Sequence, residues 1–238
     1  MRSVILVPIY ELDEQQCASF KCVLERIKAS GVEALIVEQE TMKASQLASL
    51  TLQPFISNKI RYVSTAFHLD VYCKRRLIEF GSQHINRKYV WVNDHDTICD
   101  FATVNKGLLN QDLVQPYSVL IEATKNQSKK VLCGGKFQPT TTNRLRPFGL
   151  SSWVMKRQLL APILKGLVKI DGRAWEDYAI CDEAVRLQRK VSALGGPAVR
   201  LYHPSTVDLD NEFAVWFPDG SPKMALTIND IVNWGEIP

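Results

Sequence analysis

The sequence predicts an α/β fold with a mostly parallel central sheet flanked by helices, folded as a single domain over its 238 residues. Three observations predict it. In the first half, short runs of β-formers alternate with segments whose apolar residues recur every three or four positions, the pattern of parallel strands joined by helical crossovers. The first run, "VILV" at residues 4–7, is apolar without alternation, as a strand buried on both faces requires. Pro8, Glu38 and Asp94 stand where strands end, on the side of such a sheet where ligands bind.

Pro8 closes the first strand. Asp13 and Gln16 form a capping-box start for a helix, Cys17, Phe20, Leu24 and Ile27 supply its buried face, and Gly31 is placed to end it. "EALIVEQ" reads as the second strand and "IRYV" as the third. A helix from Asp70 carries Cys73, Leu77 and Phe80 on one face, and "KYVWVN" is the strand that delivers Asp94, His95 and Asp96. Beyond it the pattern is less regular. "VLCGG" reads as a strand, "KRQLLAPIL" as a short helix interrupted at Pro162, and "AVRLYHP" as a strand. "WEDYAICDEAVRLQRK" reads as a longer helix with Ile180, Ala184 and Leu187 on its apolar stripe and Cys181 and Val185 beside it. Residues 205–238 show little periodicity.

Composition narrows the classes of function. With 46% hydrophobic and 23% charged residues the chain matches an ordinary globular protein and not a disordered one. A net charge of +4 permits a nucleotide, an anionic polymer or nucleic acid as partner and selects none of them. No apolar run reaches the roughly 18–20 residues of a membrane span, and no signal peptide is expected ahead of the first strand. Six cysteines without a CxxC pair point to reduced, buried thiols in a cytoplasmic protein, not to a disulfide framework or a zinc site.

Three groups of residues carry chemistry. If strand geometry continues past "KYVWVN", Asp94 and Asp96 share a face and His95 points away. Like charges so placed repel unless a cation joins them, and hard divalent ions take carboxylate together with phosphate oxygens. A turn in which the aspartates accept backbone amides is the plainer alternative. Glu176 and Asp177 open "WEDYAI", where they either stabilise a helix N-terminus or supply a general base for a hydroxyl; Trp175 is either a sugar-stacking wall or a core residue. His203, before Pro204, is either an ordinary histidine or the group that completes a two-carboxylate metal site. The basic stretch "TTTNRLRPFG" reads equally as a solvated loop or as a mobile one whose Arg144 and Arg146 touch phosphate or acceptor.

In this order the pieces resemble the metal-dependent glycosyltransferases of the GT-A (Rossmann-like) fold, in particular the galactosyltransferase-like branch that uses nucleoside-diphosphate sugars. The motifs spread over residues 4–212. "VPIY" resembles the first-strand motif that lines the nucleoside pocket, and "LIVEQE" is similar to the second-strand V-I-E-Q. "YCKRRLIEFG" matches F-N-R-A-x-L-x-N-x-G, with Lys74 in place of a donor-binding arginine. "VNDHD" corresponds to D-x-D. "PFGLSSWVMKRQLL" and the later "WEDY" are similar to Y-F-G-G-V-S-A-L-x-K-x-x-F and W-G-x-E-D-D, and "RLYHPSTVDLDNE" resembles a closing segment whose histidine reaches the metal. Cys73, Glu79, Leu150 and Tyr178 depart from these patterns.

The resemblance implies transfer of a sugar from a nucleoside-diphosphate donor, UDP-linked, to an acceptor hydroxyl, with inversion. It implies that Asp96 and His203 hold manganese or magnesium and that Asp94 contacts the ribose or, through water, the metal. Pro8, Tyr10 and Glu38 would bind the nucleoside and Lys74 a phosphate or the sugar. Asp177 would take the acceptor's proton and Glu176 would orient acceptor or donor sugar, with Trp175 and Phe148 bordering the acceptor. The acceptor is open among a glycan, a lipid-linked sugar, a protein and a modified nucleic-acid base. Residues up to about 105 form the expected nucleotide-sugar half, and those from about 106 to 238 the acceptor half and tail.

Two other readings share the sheet. A sugar nucleotidyltransferase carries a glycine-rich phosphate loop after its first strand, where this chain has the glycine-free "PIYELDEQQ". A nucleotide-sugar-binding module that has lost catalysis keeps the fold, and the presence of both acid pairs speaks against it.

Overall fold

Side chains that point in turn to the two faces of a parallel sheet build the core. β1 (Ser3–Ile9), β2 (Glu33–Glu40), β3 (Ile60–Ala66) and β4 (Tyr89–Asn93) form one side of the sheet, with β1 between β2 and β4 and β3 beyond β2. Ile5, Val7, Ala34, Ile36, Tyr89 and Trp91 pack on one face, and Val4, Leu6, Leu35, Val37, Val90 and Val92 on the other. Strands of this kind are apolar at successive residues because neither face meets water. The computed structural model describes residues 2–40, 46–66, 72–141, 143–146, 151–166, 169–171, 180, 183–202, 213–216 and 222–226.

The crossover helices form where the local chemistry places them. α1 (Glu14–Ser30) starts at Asp13, whose carboxylate accepts from Gln16 N at 2.7 Å while the Gln16 side chain accepts from Asp13 N at 2.9 Å. It ends at Gly31, whose φ of 70° is the left-handed cap that glycine adopts without strain. Phe20, Leu24 and Ile27 seal the first face. α2 (Gln46–Leu52) and a 3-10 turn (Gln53–Phe55) follow β2, and α3 (Lys74–Gln83) covers the second face with Leu77 and Ile78. Gly81 lets α3 approach the sheet: a Cβ there would meet Leu6 Cδ1 and Val37 Cγ2 at 2.7 Å. The helix begins at Lys74 with Cys73 as its N-cap, later than the expected start at Asp70.

β1 runs through Pro8 and does not stop at it. Its pairing with β2 continues to Ile9 opposite Glu38, whereas its pairing with β4 ends at Leu6 opposite Val92. The chain passes from β3 to β4 on the far side of β1, so the strand order reverses between β1 and β4, the point where open α/β sheets bind ligands.

The second half is shorter-stranded than the sequence suggests. β5 (Thr97–Ile98), α4 (Phe101–Gly107), β6 (Leu113–Gln115) and β7 (Leu120–Glu122) precede α5 (Lys125–Leu132). The strand expected at "VLCGG" is instead the end of α5 and the turn after it: Thr124 and Gln127 close a capping box upstream, and Gly134 turns the chain with φ 83°. β8 (Arg144–Arg146), β9 (Ser152–Lys156), α6 (Arg157–Gly166) and β10 (Lys169–Asp171) follow. α6 continues through Pro162 without the expected interruption, because Leu160, Ile163 and Leu164 bury against the second face and outweigh the one backbone bond a proline removes. Ile180 and Ala184 are buried as expected, while Val185 is exposed.

β11 (Val191–Ala193) and β12 (Ala198–Arg200) complete the described sheets with β13 (Phe213–Trp216) and β14 (Pro222–Leu226). The expected featureless tail thus contains an antiparallel pair, β13 with β14, joined to β10. The central sheet has the order β11-β6-β9-β4-β1-β2-β3, with β9 antiparallel to its neighbours β4 and β6, and a smaller sheet has the order β5-β12-β7-β8. Among the described residues no helix is long and apolar enough to cross a membrane. Cys17, Cys22, Cys73 and Cys99 are buried free thiols and Cys133 is an exposed one.

Candidate functional site

Polar residues converge where β1, β2 and β4 end. Asn93, the last residue of β4, is fully buried, and its side-chain amide donates to Asp94 O at 2.8 Å and to Thr97 O at 2.9 Å. Thr97 N donates back to Asp94 O at 3.2 Å, and Asp94 N donates to Ser151 O at 2.8 Å. The acidic cluster is therefore a turn and not an extension of β4. This corrects the expected continuation of the strand, on which the alternation of Asp94, His95 and Asp96 depended. A buried asparagine that can satisfy two carbonyls ends the strand and bends the chain.

Each aspartate then meets its own cation. Asp94 Oδ1 is 2.9 Å from Lys74 Nζ, with Lys74 almost wholly buried at the first residue of α3. Asp96 is 1% exposed; it accepts from Arg200 Nε at 3.1 Å and from Thr97 Oγ1 at 3.1 Å. Arg200 arrives by strand register, since on β12 it pairs with Thr97 of β5 on one side and Glu122 of β7 on the other. The negative charge of Asp96 drives the Arg200 pKa further up, against the opposing effect of burial.

The neighbouring strand ends add a second group. Glu38 is buried and accepts from the Tyr62 hydroxyl at 2.6 Å. Burial raises the Glu38 pKa, opposed by that hydrogen bond, and burial with the adjacent Glu38 pushes the Tyr62 hydroxyl up to about 12. Gln39 Oε1 accepts from Cys73 N at 2.8 Å and so satisfies an amide just ahead of α3 that no side-chain cap serves. Tyr10 stacks on Tyr72 with ring centroids 5.6 Å apart, and the Tyr72 hydroxyl donates to Pro8 O at 3.3 Å. The expected nucleoside residues Pro8, Tyr10 and Glu38 and the expected donor-binding Lys74 and Asp94 thus sit around the ends of three adjacent strands.

Glu176, Asp177, Trp175, Phe148 and His203 lie outside the described residues. Arg144 is on β8 and not in a loop, exposed at 73% of its side chain and 3.9 Å from Glu122. The segment before it is held by Asn143, which accepts from Thr140 N at 2.7 Å and donates to Glu122 O at 2.8 Å. Arg200, Thr97, Asn93 and Tyr72 escape the motif reading. Arg200 stands three residues ahead of His203 in the same closing segment, and Tyr72 directly precedes the Cys-Lys pair of its motif, so position was the available signal.

The third expected ligand of a manganese or magnesium ion, His203, is not among the described residues. No group of three or more His, Cys, Asp or Glu among them is placed to hold a metal. The two carboxylates that would begin such a group are already matched by an ammonium and a guanidinium.

The sequence matches no family model and no curated protein. Solved structures resemble its fold. Glucosyl-3-phosphoglycerate synthase from Mycobacterium tuberculosis, in complex with Mn2+, uridine diphosphate and phosphoglyceric acid, superposes with a TM-score of 0.52 at 14% identity, over 96% of this chain and 88% of that one. The same enzyme with Mn2+, uridine diphosphate and glucosyl-3-phosphoglycerate gives 0.52 and 14% over 85% and 73%. HddC from Yersinia pseudotuberculosis gives 0.51 and 10% over 82% and 91%. Identities this low speak to architecture alone, and the architecture they share with this chain is the Rossmann-like GT-A fold.

Proposed function

We propose that the protein is a glycosyltransferase that moves a sugar from a nucleoside-diphosphate sugar, UDP-linked, to an acceptor hydroxyl. The observation that carries the reading is the cluster at the switch point. Lys74, at the first turn of α3, is held against Asp94 beside Tyr10, Pro8 and Glu38, in a fold whose solved relatives include a synthase crystallised with uridine diphosphate. A helix N-terminus with a lysine suits phosphate, and an aromatic pair beside a buried carboxylate suits a base and a ribose.

In this reading the acceptor oxygen bonds to the anomeric carbon as the bond from that carbon to the β-phosphate oxygen breaks. The bonding electron pair leaves with the diphosphate. Asp177 takes the acceptor's proton, so the configuration inverts, and Glu176 orients one of the sugars. Trp175 and Phe148 border the acceptor, which the second half of a single domain receives. The galactosyltransferase-like branch is supported by the motifs around Lys74, Asp94 and His203. Four buried thiols among the described residues suit a cytoplasmic setting.

A thermal-shift screen of nucleoside-diphosphate sugars, followed by assay of released nucleoside diphosphate, tests the reading. Stabilisation by one class of donor and release of its diphosphate are expected. Binding without release under any acceptor would make the chain a binding module, and no donor binding at all would end the proposal.

A further inference from the structure

We infer that the exposed face of α5 and the start of β8 form a surface that binds a nucleic-acid strand. Binding there does not depend on the transferase reading above.

The positive charge of the chain is gathered in one segment. Residues 122–146 hold six lysines and arginines against a single acid, Glu122, and so carry more than the whole net charge of +4. Lys125, Lys129, Lys130, Lys136 and Arg144 are all exposed. On α5 the buried residues are Ser128 and Val131, so Lys125, Lys129 and Lys130 share the outward stripe. Helix stability does not account for all of them. The C-terminal end of a helix favours Lys129 and Lys130, but Lys125 is the first helical residue, where the helix dipole opposes a cation, and no acid shares that turn. Lys125 and Lys129, at i and i+4, also repel each other.

Hydrogen bonds hold these cations on one frame. The Asn143 side chain donates to Glu122 O at 2.8 Å and to Gln127 Oε1 at 2.7 Å, and Gln127 Nε2 donates to Gln138 O at 2.8 Å. The helix, the turn after it and β8 are thereby tied together, and a surface fixed in advance binds with less ordering cost. β8 pairs with β7 and β7 with β12, so Arg144, Glu122 and Arg200 stand abreast on adjacent strands. At the spacing between strands, Arg144 lies roughly 10 Å from Arg200, beside the candidate site.

The chemistry of the surface selects among polyanions. Protein partners deplete lysine at their contacts and need an apolar centre, and a membrane surface needs apolar side chains that enter the lipid. Here Val131, Leu132 and Phe137 pack inward around Cys22 and Leu201, and Leu145 alone among the described large apolar residues of the segment is exposed. Lysines in a row with little apolar surface suit a row of phosphates, which bind through cations and release counterions.

Fluorescence anisotropy of the intact protein with a labelled mixed-sequence single-stranded oligonucleotide, as RNA and as DNA, over a salt series tests this. Binding to at least one, weakening as salt rises, is expected. Lys125→Gln, Lys129→Gln and Lys130→Gln combined are expected to weaken it by about tenfold or more and to lower the slope of log Kd against log salt by about 2. Lys125→Arg, Lys129→Arg and Lys130→Arg combined are expected to retain it. Binding of neither oligonucleotide overturns the inference, as does a comparable loss from Lys59→Gln with Lys106→Gln, exposed lysines elsewhere in the fold. Phosphatidylserine vesicles or polyglutamate bound as tightly as the oligonucleotide also overturn it. Each of these results leaves the donor screen, and the transferase reading it tests, untouched.

Discussion

β1, β2 and β4 are five to eight residues long and buried on both faces, whereas β6 to β14 are three to five residues long and are split among three sheets. The first set delivers Pro8 and Glu38 near the carboxyl ends of β1 and β2 and Asp94 in the turn directly after β4. The second set delivers Arg200 by register. Nothing local to β12 directs that guanidinium to Asp96, 104 residues away; its pairing with Thr97 does. One half of the candidate site is set by local sequence and the other by long-range pairing, and the two meet at the turn after β4.

The largest expected effect probes the half that local pattern does not reach. Asp177→Asn is expected to lower turnover by about 10²–10⁴-fold, the range of a lost general base, with donor affinity unchanged in a calorimetric titration. Equal loss of affinity would move Asp177 out of the base role. Next, the two aspartates separate the halves directly. Asp96→Asn leaves Arg200 beside a neutral amide in a closed environment, and a cost of about 3 kcal/mol is expected. Asp94→Asn takes the carboxylate from a buried ammonium but at a position 19% exposed to water, and a smaller cost of about 2 kcal/mol is expected. At roughly 2–4 °C per kcal/mol for a chain of this size, scanning calorimetry resolves them. Equal shifts would remove the distinction.

Smaller effects follow from protonation. The hydrogen bond from Arg87 lowers the Glu33 pKa, and that from Lys156 lowers the Asp112 pKa. Such groups contribute stability above their unfolded pKa and lose it as pH falls through the folded one, so the urea midpoint should drop below about pH 4. Glu38 has the opposite sign. Its pKa is raised by burial, so its contribution is complete below the unfolded value and is lost as pH rises through the folded value. Glu38→Gln is therefore expected to raise the urea midpoint at neutral pH and leave it unchanged in acid; a lower midpoint at neutral pH would place a compensating cation against Glu38. The smallest effect belongs to the capping box of α5: Thr124→Ala should cost about 1 kcal/mol and lower the melting temperature by roughly 2–4 °C.

The same comparison explains what was legible in the sequence. Asp13, Gln16 and Gly31 specify the ends of α1 by hydrogen bonds within a few residues, and the uninterrupted apolar runs specify β1, β2 and β4. Gly81 closes its motif for a steric reason, the contact with Leu6 and Val37. Residues 131–135 misled because their apolar start and paired glycines look like a strand edge, while the decisive signal was the Thr124–Gln127 box upstream. Strands of three residues carry too few side chains to show a period, so β6 and β7 left no pattern to read, whereas β12 was legible as the start of "AVRLYHP". The geometry of Asp94 and Asp96 was hidden for a different reason: Asn93 looks like one more strand residue until its amide is seen holding the turn.

The most direct measurement is a crystal structure of the protein grown with a uridine-linked sugar. The account predicts the pyrophosphate within hydrogen-bond reach of Lys74 at the start of α3, with the nucleoside against Tyr10 and Glu38. A nucleotide bound elsewhere on the chain, with the ends of β1 and β4 filled only by solvent, would contradict it.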